Sequence, residues 1–405
     1  MRRLVLVLAL VPALAACGSA KGPHDAKSLV VVVNAPFSKT PYLGRTIENG
    51  ARLAAAQVNA SGIRIGNQSY VLSVRTMDNA LSPARAVANV RQAVSDGAVA
   101  IVDEGTGVDA SWRAARGVPI CIVFQGGSGL VDPATRRNVF RIAPTDHGVA
   151  FRLAEYLIPQ RLRIAILHDD SDYGAAGEQE LRRAFAGNRS SVAVDETVPA
   201  DALDLGPQVL RARRAHATAL LVWGRPATIA AAITAARSAG WKVPVYTPPT
   251  GADPFVRQQL ANHPAWVDGL TFAGGRLTAE VGTGPFTAFE QKYESAYGVD
   301  AVGVRTTSGQ KVVEPPETAM YAYDFVNLLA AALQRAQSTK PARVVDALEN
   351  VSVEGANGDS RGFNRVSHEG VVDDDVYFAR FHDMTYAPVT NDPLSRTLPR
   401  IPQTR

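Results

Sequence analysis

Short apolar runs alternate with amphipathic stretches along most of this chain. "SLVVVVNAP", from Ser28 to Pro36, is a continuous β-branched run, the pattern of a strand buried on both faces. In "TIENGARLAAAQVNA", which follows, Ile47, Ala51, Ala54, Ala55 and Val58 fall on one helical stripe. "YVLSVRTMD" predicts a strand, and "SPARAVANVRQAVSDG" a helix capped by Ser82 with Pro83 at its first position. Strands at "AVAIVDEG" and "VPICIVFQGG" flank a short helical segment, 109–116. Past "RIAPTDHG" (141–148) the theme repeats: strand "LRIAILHDD", helix 173–186, strand "SVAVDETV" and helix 203–214. Strand "TALLVWG", helix 226–239, strand "VPVYTPP", a helix from about Asp253 and strand "GLTFAGG" complete it. Such alternation predicts parallel sheets covered by helices on both faces, and the break near 141–148 divides them into two doubly wound α/β lobes.

The last third departs from the alternation. Helices are expected at 284–297, at 317–336 with Tyr321, Phe325, Leu328, Leu329 and Leu333 inward, and at 341–349. "GFNRVSHEGVVDDDVYFARFHDMTYAPV" reads as strands and turns, with a loosely ordered tail over 391–405.

The N-terminus has a different grammar. Arg2 and Arg3 precede the apolar run Leu4 to Val11, and Leu14-Ala15-Ala16 leads into Cys17. The run is too short to cross a bilayer core of ~30 Å, so 1–16 reads as an export signal. The spacing resembles a bacterial lipobox, in which Cys17 is lipidated and 17–27 becomes a tether; a plain secretory signal containing a cysteine is the alternative. Either reading places the protein outside the cytoplasm, and the first anchors it to the membrane. Cys121 lies in an apolar run as a small hydrophobe, so a lipidated Cys17 leaves no intrachain disulfide. A net charge of +4, spread along the chain, gives no basic patch for nucleic acid.

Motifs of catalysis do not assemble. "DDSDYG" (169–174) lacks the ligand ladder of a calcium loop, and "FQGGSG" (124–129) is neither a dinucleotide fingerprint nor a nucleophile elbow. The histidines show no metal-ligand spacing, and there is no phosphate-binding loop. No enzyme activity, metal or cofactor is expected. What recurs is a placement. Segments rich in Gly, Ser, Thr and aromatics stand at predicted strand ends: 35–44, 103–107, 124–129, 168–174, 222–226 and 247–253. In open parallel sheets, ligands sit at those ends beside helix N-termini.

"YLGRTIENGARLAAAQVNASG", "ALSPARAVANVRQAV", "FRIAPTDHGVA", "LHDDSDYG", "ALLVWG" with "IAAAITAARSAGWKVPVY", and "AFEQKYESAYG" occur in an order that resembles the type I periplasmic solute-binding proteins, in the branched-chain amino-acid branch serving ABC importers. The resemblance runs from about Leu29 to Val389. It implies a hinged trap of two lobes, lobe one from 28–143 plus 275–358 and lobe two from 144–274 plus 359–390, with crossovers near 142–147, 272–278 and 355–365. It implies a monomer that holds a small-molecule ligand and docks on ABC permease subunits; a ligand-sensing lipoprotein not coupled to a transporter is the alternative. Carried onto this sequence, the binding positions fall on Thr106, suited to a carboxylate, on Gln125 to Gly127, and on Ser128 where Gly127 replaces a usual threonine. Tyr42 and Leu43 come from the first-strand loop, Tyr173 is the aromatic of "DDSDYG" whose early aspartates cap the helix, and Trp223 ends a lobe-two strand. Amino-acid binders carry an acid for the α-ammonium where this chain has Thr250, which argues against an α-amino acid and for a ligand lacking a free α-ammonium; among small polar metabolites an amino acid, an amide or urea, and a small aromatic acid all stay open.

Overall fold

The computed structural model describes residues 26–275, 284–298, 301–313 and 317–389. The export signal, Cys17, the tail 391–405 and part of the second expected crossover, 276–278, lie outside the described residues.

Two sheets account for the alternation. The first holds β1 (Lys27–Ala35), β2 (Ile63–Ile65), β3 (Gln68–Asp78), β4 (Ala98–Asp103), β5 (Ile120–Ile122) and β6 (Val139–Arg141), in the order β2-β3-β1-β4-β5-β6. Only the β2–β3 hairpin in it is antiparallel. The second is founded on β7 (Ile164–Asp169), β8 (Val192–Val198), β9 (Ala219–Trp223), β10 (Val245–Thr247) and β11 (Leu270–Gly274), all parallel. Two ribbons follow, β12 (Ala301–Arg305) with β13 (Lys311–Val313) and β14 (Ser352–Glu354) with β15 (Ser360–Gly362). Finally β16 (Tyr377–His382) and β17 (Thr385–Pro388) return to the second sheet as antiparallel strands, giving the order β17-β16-β11-β10-β9-β7-β8. Every residue of β4, β5, β6, β7, β9 and β11 is buried, which is why their sequences run apolar without alternation.

The helices are α1 (Pro41–Ser61), α2 (Pro83–Ser95), α3 (Val108–Ser111), α4 (Asp146–Leu157), α5 (Asp172–Ala184), α6 (Gly206–Arg214), α7 (Pro226–Ser238), α8 (Pro254–Gln259), α9 (Gly284–Tyr297), α10 (Glu317–Ala336) and α11 (Pro341–Leu348). Ser82 caps α2 by accepting from the Arg85 N–H, as its position before Pro83 predicts. Two starts differ from the sequence reading. α1 begins at Pro41, whose fixed φ suits a first helical position, so Tyr42 and Leu43 sit in a helix turn and not in a loop. α4 fills what reads as a break: Thr145 caps it by accepting from Gly148 N–H at 2.8 Å. β1 also starts at Lys27, inside the expected tether.

Ionic clamps hold the crossings between sheets. Arg141, at the end of β6, grips Glu369 with two hydrogen bonds of 2.7 and 2.6 Å. Arg361 of β15 is 1 % exposed and reaches Asp324 of α10 at 3.2 Å, with Asp359 and Asp375 each at 3.4 Å. A buried arginine of this kind persists only because its charge and donors are met on several sides. The β12–β13 ribbon, although in the span expected for lobe one, leans on α8: Gln258 Nε2 donates to the Val302 carbonyl at 2.8 Å.

Candidate functional site

A cavity of about 50 Å³ opens where the C-terminal ends of the two sheets face each other. The segment after β5 contributes Val123 to Gly126, and the crossing into α4 contributes Ala143, Pro144, Asp146 and Val149. Tyr173 comes from the first turn of α5, and Pro249 and Thr250 from the turn after β10. Glu317, Thr318 and Tyr321 close the wall from the start of α10. Strand ends and helix starts supply most of this lining, as the geometry of parallel sheets dictates.

Two carboxyls face this space. Asp146 is 5 % exposed, its N–H donates to the Gly126 carbonyl at 2.8 Å, and its Oδ2 has no hydrogen-bond partner among the described residues. Burial pushes this carboxyl up to about 7; the Arg141 charge pulls against that, and the Glu180 charge adds to it. Gly126 has no side chain for a reason visible here, since a Cβ would lie 2.5 Å from Asp146 Oδ1 and 2.6 Å from its backbone nitrogen. Glu317 accepts at Oε1 from Gly275 N–H (2.9 Å) and from the Tyr321 hydroxyl (3.1 Å). Burial raises its carboxyl too, with those two bonds pulling the other way.

The residues that the sequence singles out divide. Gln125, Tyr173 and Thr250 line the cavity. Thr106 stands one hydrogen bond behind: Gln125 Nε2 donates to Thr106 Oγ1 at 3.2 Å and to Glu104 Oε2 at 3.3 Å. Glu104, 1 % exposed, also accepts from Asn79 Nδ2 (2.9 Å) and from the Thr106 N–H (3.0 Å). Burial raises its carboxyl while these donors oppose the shift. Gly127 gives its carbonyl to Arg141 at 3.0 Å and is not on the wall. Ser128 donates to Glu180 of α5 at 2.6 Å, joining one lobe to the other. Leu43 is buried in the first core, and Tyr42 lies near the Arg257 charge of α8. Trp223 is 0 % exposed and packs behind Tyr173, ring centroids 6.0 Å apart, against Gly177, where a Cβ would be 2.1 Å from its Nε1.

The three aspartates of "HDDSDYG" prove to be scaffolding. The cap of α5 is Ser171, whose hydroxyl accepts from Gly174 N–H. Asp169 accepts from the Ser171 N–H at one oxygen, and at the other from Arg225 N–H (2.6 Å) and the Thr228 hydroxyl (3.0 Å), tying β7 to the start of α7. Asp170 accepts from Ala200 N–H at 2.8 Å, pinning the next loop, and Asp172 falls in the first turn of the helix. At the distal edge His168, Glu178 and Asp195 converge, but Arg182 pairs with both carboxylates.

Asp146, Glu317 and Tyr321 escape the sequence reading as site residues, whereas Glu104 falls in the expected strand-end segment 103–107. Asp146 follows a helix-capping threonine at a strand end, the same signal that marks Tyr173, but the glycine and proline around it read as a break. Glu317 and Tyr321 belong to a helix read only for its buried stripe.

The chain belongs to the periplasmic binding protein family, whose model, described as Periplasmic binding protein, matches residues 32–384. Its fold is the two-lobed α/β fold of the type I members. A type 1 periplasmic binding protein from Bordetella pertussis Tohama I superposes with a TM-score of 0.78 at 20% identity, over 90% of this chain and 100% of that one. A branched-chain amino acid transporter substrate binding protein from Streptococcus pneumoniae, in complex with isoleucine, gives 0.73 at 20% identity over 89% and 98%. An ABC transporter solute binding protein from R. palustris in complex with benzoate gives 0.70 at 16% identity over 89% and 95%. No curated protein matches the sequence. Among the described residues no helix is long and apolar enough to cross a membrane.

Proposed function

We propose that the protein is an extracytoplasmic solute-binding lipoprotein, anchored through Cys17, that closes its lobes on a small polar metabolite and delivers it to an ABC importer. The observation that carries this reading is the cavity itself: it lies between the two sheets and takes Gln125 from one side and Tyr173 and Thr250 from the other. A site divided between lobes couples binding to closure, because one lobe can hold the solute before the second engages it. Binding rather than catalysis is the role assigned, with Gln125, Tyr173, Thr250 and Asp146 as direct contacts and Thr106 behind Gln125. The family and the solved relatives named above, one holding isoleucine and another benzoate, support a role in solute capture without naming the solute.

A thermal-shift screen of the purified protein over a library of small metabolites tests this. One compound or one chemical series should raise the melting temperature saturably. A library that leaves the melting temperature unmoved would contradict the reading.

A further inference from the structure

Resting on that solute-binding reading, we propose that the solute is a small organic cation with no carboxylate of its own, with Asp146 as its counter-ion and Glu104 filling the place a ligand carboxylate would take. The first half follows from the state of Asp146. Its Oδ2 is buried and unpartnered among the described residues, on the wall of the cavity. A buried carboxylate left unpaired is costly, and a cationic nitrogen in the cavity removes that cost. Arg141 is the cation near it, yet its guanidinium is committed to Glu369 and to the carbonyls of Gln125 and Gly127. The other charges around Asp146 are those of Glu180 and, on the same cavity wall, Glu317; no lysine, arginine or histidine is among the described lining residues. Phe124, Tyr173 and Tyr321 add aromatic faces, which attract a cation.

The second half follows from Glu104. Thr106 N–H, the Gln125 amide and the Asn79 amide are donors suited to a carboxylate, Gln125 standing on the cavity wall, and all three converge on Glu104. The Gln125 Nε2 group is thus engaged with Glu104 and Thr106, which leaves its Oε1 as the polar atom for a solute. A carboxylate on the solute would meet like charge and spent donors. The protein carries the anion that an amino acid would bring, and leaves the cation to the solute. This accords with Thr250, which places no acid on the opposite wall: the counter-ion has changed sides.

Calorimetry on the full chain at pH 8, where Asp146 is ionised, tests this with four probes of similar branched skeleton. They are isobutylamine (cation), valine (zwitterion), 3-methylbutanoate (anion) and isobutyramide (neutral). Isobutylammonium should bind tightest, and Asp146→Asn should weaken it by about tenfold or more, the scale of one charge-assisted hydrogen bond. Glu104→Gln, nearly isosteric, and Glu104→Ala should each raise the affinity for valine relative to isobutylammonium. Melting curves identify any variant that has lost its fold, in which case the order of the four probes on the unaltered protein decides alone. Tighter binding of valine or 3-methylbutanoate, no binding of isobutylammonium at millimolar concentration, or an Asp146→Asn protein that binds it equally well would overturn the proposal. The solute-binding reading would survive if some metabolite without a cationic nitrogen bound; it falls with this proposal only if no metabolite binds at all.

Discussion

Ser128, in the segment after β5, and Glu180, on α5 of the other lobe, are joined by a 2.6 Å hydrogen bond. His147 Nδ1 (3.1 Å) and Arg183 (2.6 Å) reach the same carboxylate. Burial alone would raise this carboxyl, but the bonds from Ser128 and His147 and the Arg183 charge hold it below its ordinary value. Of these partners Ser128 comes from the opposite lobe, so under the proposed closure its bond belongs to the closed form. Removing it should therefore favour the open form. For Ser128→Ala we expect solute affinity lower by ~1.5–3 kcal/mol, the range for a hydrogen bond to a charged group, with the melting temperature of the solute-free protein little changed. Calorimetry and a melting curve check both. Unchanged affinity would mean that the bond does not contribute to closure.

Tyr173 and Trp223 should separate cleanly. Tyr173 lines the cavity and meets the Thr250 side chain, and Tyr173→Ala should weaken solute binding by ~2 kcal/mol or more, as truncation of an aromatic anchor does. Trp223 is core, and Trp223→Ala should destabilise the fold by ~3–5 kcal/mol. The gentler Trp223→Phe should bind solute nearly as well as the wild type. Urea unfolding and calorimetry on the three variants give the comparison.

Stability should fall as pH rises through the neutral range. Burial pushes the Asp103 carboxyl up to about 8, with the Glu104 charge adding to the shift and the bonds from Asn34 Nδ2 and Gly105 N–H, both 2.7 Å, opposing it. A raised pKa means that the folded state favours the protonated form. Its contribution is therefore complete below the unfolded value near 4, declines as pH rises, and is lost above about 8. Asp146 acts in the same direction up to about 7. Unfolding free energies from urea titrations at pH 5 and pH 8.5 should differ less for Asp103→Asn than for the wild type, by on the order of 2 kcal/mol. Equal pH dependence in the two proteins would remove Asp103 as the cause.

Membrane attachment should depend on one atom. With Cys17 replaced by serine the lipid acceptor is lost, and the protein should move from the membrane fraction to the soluble extracytoplasmic fraction. Retention of Cys17→Ser in the membrane would place the anchor elsewhere.

The sequence displays the scaffold well because burial on both faces of a parallel sheet leaves an unbroken apolar run. α9 and α10 are read to the residue, α7 to within one, and β1, β4, β7, β9 and β11 to within two. α4 is hidden by the Pro and Gly at its threshold, β12 by Gly303 at its centre, and β13 by its shortness. In the site, position along the chain is legible but direction is not. Trp223 ends a strand at the correct sheet end, yet its ring turns into the core against Gly177. The donors around Thr106 are foreseeable; that Glu104 would turn back and take them is a three-dimensional fact. Asp146 and Glu317 are far apart in sequence, and only the fold brings both to one wall.

Small-angle scattering of the unaltered protein, with and without a saturating solute taken from the thermal-shift screen, bears most directly on the claim that two lobes close on a ligand between them. A smaller radius of gyration is expected with solute bound, and a weaker compaction in Tyr173→Ala at the same solute concentration. Saturable binding with no change in the radius of gyration, in the unaltered protein or in the variant, would contradict it.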